Sequence, residues 1–242
     1  MSKLPVLLLF VSMFFGCTHR NNNTDTLSPG TLQITISHSV DGQQLIWDSI
    51  MYKNDAGNRY GISKLQYYIS NVRLYNNMRV VHHYDSVYYI DAKYQYSSVV
   101  SISGVSAGAY DSVALTIGLL PFRNKSYSLP ATIENTGMNW PDVMGGGYHF
   151  LKLEGHWLDT AIVNGFALHV GKSGFHCEAG FPCHLEVKST QITNLSIGMN
   201  INEWFRTPSI YNFSTDGVYS MGDELMMRKI ITNGQDVFSE MN

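Results

Sequence analysis

Nine histidines and three cysteines are spread over 242 residues, and the spacing of a few of them bears on metal chemistry. In stretches of strand-like alternation, His38 follows Ile34 and Ile36, His149 shares a face with Leu151 and Leu153, and His169 shares one with Ala167. Each lies near a strand end, and the strand ends of a sandwich meet at one of two rims. Two or three neutral imidazoles at the same rim would suit Cu, Zn or Ni. Taken singly, each is more commonly a hydrogen-bonded structural histidine. Cys177 and Cys183 are flanked as His176-Cys177 and Cys183-His184. In an oxidising compartment the two thiols are expected to form a disulfide closing a small hairpin loop. Left reduced, the same four residues would offer two thiolates and two imidazoles to a soft metal. Met221, Met226 and Met227 carry thioethers, but methionines on a short helix are expected to fill the core.

Other chemistries find no support. There is no Gly-x-Ser-x-Gly and no His-Glu-x-x-His, and Gly145-Gly146-Gly147 lacks the Lys-Ser/Thr of a phosphate loop. The glycine run is expected to bend a strand start or admit a close backbone approach. No nucleophile or acid–base set emerges, so a binding protein is expected rather than an enzyme.

The elements that must position these residues are strands. Apolar residues alternate over 32–38, and turn formers follow at Asp41-Gly42 and over 54–58. Further strands are expected over 45–52, 64–74, 87–92, 99–102, 112–117, 148–153, 164–170 and 192–201. Short strands punctuated in this way predict an all-β, antiparallel β-sandwich-like domain. One short C-terminal helix is expected over 221–232, capped by Ser220 and stopped at Asn233-Gly234.

The N-terminus reads as an export signal. Lys3 precedes an apolar run of roughly a dozen residues, against the ~20 that a spanning helix needs, and Gly16-Cys17 ends it. Residues 1–16 are expected to be a lipoprotein signal peptide, with lipid on Cys17 as a membrane anchor. Residues 17–30 then form a polar tether and 31–242 one domain. That tether has no acidic cluster, which favours a periplasm-facing anchor, at the outer membrane of a bacterial envelope. Charged residues make up 14% of the chain and the net charge is −3, so no nucleic-acid partner is expected.

A longer motif, Met138-Asn139-Trp140-Pro141-Asp142-Val143-Met144-Gly145-Gly146-Gly147-Tyr148-His149-Phe150-Leu151-Lys152-Leu153-Glu154-Gly155, resembles the signature stretch of the MbnP-like copper-binding family. Also similar are His38-Ser39-Val40-Asp41-Gly42, Leu65-Gln66-Tyr67-Tyr68-Ile69-Ser70-Asn71-Val72, Leu168-His169-Val170-Gly171 and Met199-Asn200-Ile201-Asn202-Glu203-Trp204-Phe205. The branch is that found among Bacteroidetes-type lipoproteins. The resemblance implies an extracytoplasmic β domain holding one copper ion. It implies histidine ligands beside a tryptophan that a partner di-haem peroxidase oxidises to kynurenine. Carried onto this chain, Trp140 is the modified residue, His149 and His169 are the ligands, and His38 is a third. Pro141-Asp142-Val143 follow Trp140 where many relatives place a second aromatic. A competing expectation is a metal-free surface interaction module using the aromatic-rich loops around Tyr94, Tyr96, Tyr211 and Phe213.

Overall fold

A computed structural model describes residues 28–241 of the chain. The signal segment, Cys17 and the tether up to residue 27 lie outside the described residues. Twelve strands run in the order β1 (Gly30–Val40), β2 (Gln43–Gln44), β3 (Tyr52–Lys53), β4 (Arg59–Asn76), β5 (Arg79–Asp91), β6 (Val99–Val105), β7 (Gly108–Ile117), β8 (His149–Asp159), β9 (Ile162–Gly171), β10 (Cys177–Val187), β11 (Ile192–Asn200) and β12 (Phe238–Glu240). Three short α-helices accompany them: α1 (Ile133–Gly137), α2 (Phe213–Asp216) and α3 (Glu224–Asn233).

The strands form two sheets. One has the order β12-β11-β1-β2 with β6 also on β1; the other has β10-β7-β4-β8-β9 with β3 and β5 also on β4. Pairing is antiparallel except between β1 and β11, which run parallel from Thr31–Ile192 to Ser39–Asn200. The expected all-β sandwich is therefore the observed one. Its core lies between the sheets, where Leu32, Ile34 and Ile36 of β1 share a cluster with Leu65, Tyr67 and Ile69 of β4 and Leu151 and Leu153 of β8. Removing each such side chain from water contributes roughly 1.5–3 kcal/mol. A second, smaller cluster of Tyr68, Leu119, Met138, Tyr148 and Phe150 covers the outer face of the larger sheet.

Several expectations need correction. The 45–52 stretch is not a strand: it passes as a loop between β2 and β3, with one bridge from Trp47 to Ile62. Within the expected 64–74 strand, simple alternation holds only to Ser70. Asn71 takes a φ of 51°, the register shifts, and Val72 and Leu74 then turn into the core. Helix α3 begins three residues later than expected, because the Asp223 side chain, not Ser220, accepts from the Met226 N–H at 2.9 Å. Met226 and Met227 do fill core space. Tyr211 and Phe213 are buried, which removes them from any exposed aromatic surface, while Tyr94 and Tyr96 are exposed.

The largest correction concerns Cys177 and Cys183. They do not close a hairpin; they lie on one strand, β10, whose alternate residues Cys177, Ala179, Phe181, Cys183, Leu185 and Val187 are all buried. Six residues of strand place the two cysteines ~20 Å apart, beyond the roughly 7 Å that a disulfide can span. Both are free and buried. Burial raises both thiols, Cys183 to about 11. The flanking histidines do not converge either. His176 approaches Glu178, whereas His184 is solvent-exposed beside Glu240.

Candidate metal centre

Residues 138–149 form a loop that delivers an aromatic and an imidazole to the start of β8. An antiparallel bridge between Asn139 and Tyr148 closes it, and the Trp140 N–H donates to the Gly147 carbonyl at 2.9 Å. Gly146 and Gly147 both take positive φ. A Cβ on Gly147 would stand 2.3 Å from Asn124 Oδ1, the atom that accepts the Tyr148 N–H at 2.9 Å. Only glycine lets the backbone come that close while turning left-handed.

A bulge then decides which way His149 faces. His149 pairs with Gly171, yet Leu151 pairs with Val170, so two steps on β8 match one on β9. The extra residue reverses the alternation. Leu151 and Leu153 enter the core between the sheets, but His149 turns to the opposite face, and Phe150 joins the outer cluster. The expectation that His149 shares a face with Leu151 and Leu153 fails for this reason. The same reversal brings His149 to His169, which pairs with Lys152. The two rings lie 5.1 Å apart between centroids and nearly perpendicular, at 87°. On its other side His149 meets the Trp140 ring, at 4.7 Å and 62°. Trp140 is 2% exposed and lies over Gly171, where a Cβ would meet its ring at 2.2 Å. Its indole N–H donates to the Met144 carbonyl at 3.2 Å.

Hydrogen bonding fixes the proton on each ring. His149 Nδ1 faces the Met138 carbonyl at 3.2 Å, and a carbonyl only accepts, so Nδ1 carries the hydrogen. His149 Nε2 is buried without a partner, so its lone pair is free. Burial, with smaller contributions from the Lys152 and His169 charges, lowers the His149 pKa to about 3 and keeps the ring neutral. His169 Nε2 faces Glu154 Oε1 at 3.0 Å. Glu154 has its pKa lowered to about 2, chiefly by that bond and further by Lys64. An ionised carboxylate only accepts, which puts a hydrogen on His169 Nε2; in the neutral ring the lone pair is then on Nδ1. That Nδ1 lies 3.3 Å from the Met221 sulfur.

Met221 is held there by the backbone. The segment before it lies along β9, with the Ala167 N–H donating to the Val218 carbonyl and the Ser220 N–H to that of Ala167. The Ser220 hydroxyl accepts from the His169 N–H at 2.7 Å and donates to the His169 carbonyl at 2.5 Å. Ser220, expected as a helix cap, is a clamp between Met221 and His169. Met221 was the residue that helix periodicity hid. The only cue was its place at the helix start, beside Ser220 and Gly222, where a side chain need not follow the helix's buried stripe.

His38 is not part of this group. It sits on β1 in the other sheet, and its Nε2 bonds the Tyr67 hydroxyl at 2.9 Å inside the sandwich. Desolvation, partly opposed by the Asp91 charge, lowers its pKa to about 4. Among the described residues, no three His, Cys, Asp or Glu side chains are placed together to hold an ion. The arrangement is two imidazole lone pairs, a thioether and an indole.

The profile of the MbnP family matches residues 29–224, most of the chain. The chain belongs to the MbnP family. A comparison with curated protein sequences finds no match. Among solved structures, MbnP from Methylosinus trichosporium matches with a TM-score of 0.55 and 14% identity, covering 88% of this chain and 99% of that one. At that identity the likeness is one of fold. Both ends of the site in this MbnP-family chain, Trp140 to His149 and His169 to Met221, fall inside the matched span.

Proposed function

We propose that this MbnP-family protein binds one copper ion between His149 and His169 and serves copper handling in a bacterial envelope. The observation that carries the reading is the unpartnered Nε2 of buried His149, 5% exposed, beside a second imidazole whose own lone pair is left uncommitted. An orphaned buried acceptor costs roughly 1–3 kcal/mol, and a bound ion would satisfy it. Neutral imidazoles suit copper, and the chain's own part is to present them dry and in fixed tautomers. Glu154 orients His169, and the Met138 carbonyl orients His149.

The same reading assigns Trp140 as the residue oxidised to kynurenine. Its ring borders His149, so an opened indole would set a ketone and an aromatic amine beside the imidazole. A di-haem peroxidase would supply the oxidation, and lipid on Cys17 would hold the protein at the membrane, facing the periplasm. The protein itself is a carrier, with redox chemistry left to that partner.

Metal analysis of the purified protein tests the copper site. About one equivalent of copper is expected, with uptake lost in both His149→Ala and His169→Ala. Unchanged stoichiometry and affinity in both variants would remove the assignment. A mass shift to kynurenine on the Trp140 peptide, in cells that also make the peroxidase, tests the modification.

A further inference from the structure

We propose that a cavity at the end of β1, beside His38, binds a small organic carboxylate with an apolar body. The proposal is independent of the copper reading. The cavity measures about 590 Å³, within the range of small-molecule sites. The last residues of β1 form one wall, residues 42–47 a second and residues 92–98 a third. Tyr67 is fully buried, and its hydroxyl meets His38 Nε2 at 2.9 Å. Were the ring hydrogen on Nε2, the hydroxyl hydrogen would be left in the core without an acceptor. The hydroxyl therefore donates, Nε2 accepts, and the neutral His38 ring carries its hydrogen on Nδ1. That ring lines the cavity, and no group among the described residues accepts the Nδ1 hydrogen. Ser98 repeats the pattern. It is 3% exposed and lines the cavity, yet its hydroxyl has no partner among the described residues.

Lys93 brings the one charged side chain to the lining. Its ammonium lies 5.4 Å from the centre of the Trp47 ring and 3.4 Å from Asp48, which is 60% exposed. Such an exposed pair holds little energy, so the cation stays available. Asp91, whose charge reaches His38, already accepts from Gln66 Nε2 at 2.8 Å and from the Lys93 N–H at 3.0 Å. The lining thus combines two uncommitted hydroxyl or imidazole donors with a cation, and it has no Asp or Glu side chain. A carboxylate only accepts, which suits this set. A sugar would also need strong acceptors for its own hydroxyl hydrogens. Ile36, Leu45, Trp47 and Ala92 supply apolar surface that an inorganic anion would leave unused and an apolar body would cover.

The experiment titrates hexanoate, phenylacetate and indole-3-acetate into the purified protein, with and without copper, by calorimetry and by imidazole proton–nitrogen spectra. At least one of these acids should bind with one-to-one stoichiometry and shift His38 Nδ1, whether or not copper is present. Its primary amide keeps the body without the charge, and inorganic phosphate keeps the charge without the body. Both should bind about ten-fold more weakly or worse. Ser98→Ala and Lys93→Gln should each weaken the acid about ten-fold. Neither substitution touches the bond between His38 and Tyr67, and an unchanged melting temperature checks that the fold is kept. No binding at millimolar acid, equal binding of the amide, wild-type affinity in both variants, or shifts confined to His149 and His169 would overturn the site. Copper uptake is measured in the same samples, so its failure would bear on the metal centre and not on this cavity.

Discussion

The molecule has two histidine environments that look alike from the chain and differ in one atom. His38 and His149 each stand at one terminus of an alternating apolar stretch, each is desolvated, and each has its pKa pushed well below the ordinary imidazole value. His38 Nε2 is bonded to the Tyr67 hydroxyl, whereas His149 Nε2 has no partner. Burial alone therefore does not mark a ligand. A buried imidazole becomes one when its second nitrogen is left without a hydrogen bond and another donor faces the same space. His169 and Met221 supply that for His149; around His38 the space belongs to Tyr67.

The sharpest way to break the contrast is to remove one imidazole from each environment. His149→Ala should abolish copper uptake. His38→Ala should leave the stoichiometry at its wild-type value but lower stability by about 1–3 kcal/mol, because the Tyr67 hydroxyl loses its buried partner. Calorimetry with copper titration reads both effects, and copper loss in His38→Ala would erase the distinction. Glu154→Ala probes the orientation of His169 and should weaken copper binding about 10–100-fold without changing its stoichiometry. Gly171→Ala pushes a methyl into the Trp140 ring. It should cost about 1–3 kcal/mol by overpacking and shift the Trp140 fluorescence; an unshifted spectrum would contradict the packing.

Acid should weaken the fold through both histidines. The unfolded chain protonates its imidazoles below about pH 6.5, while folded His38 and His149 stay neutral down to about 4 and about 3. Between these limits the unfolded state binds more protons, so this stability is present above pH 6.5 and is lost as pH falls. Denaturant titrations from pH 7 to 4 should show the decline, with a shallower slope in His38→Phe. The smallest effect is a null one: reducing agent should not change the melting temperature, since Cys177 and Cys183 are unpaired.

How far these features could be read from the chain varied with their range. Most strand positions and the sandwich class were legible from alternation, and the grouping of Trp140 with His149 and His169 from the family resemblance. Strand β10 carried an equally clear alternation from Cys177 to Val187, but cysteine spacing drew attention away from it. The bulge at His149 and the left-handed Asn71 were not legible. Both depend on how a partner strand registers, and local pattern carries no record of that. Met221 was hidden because a helix stripe predicts core, and only the observed start at Glu224 frees it.

The most direct test follows both histidine environments at once. Long-range proton–nitrogen spectra of the imidazoles, recorded while the protein is titrated with Cu(I), report each ring nitrogen separately. Before metal, His149 should carry its proton on Nδ1 and His169 on Nε2. One equivalent of copper should then shift His149 Nε2 and His169 Nδ1 and leave His38 unmoved. The opposite tautomers, or copper shifts confined to His38, would contradict the account.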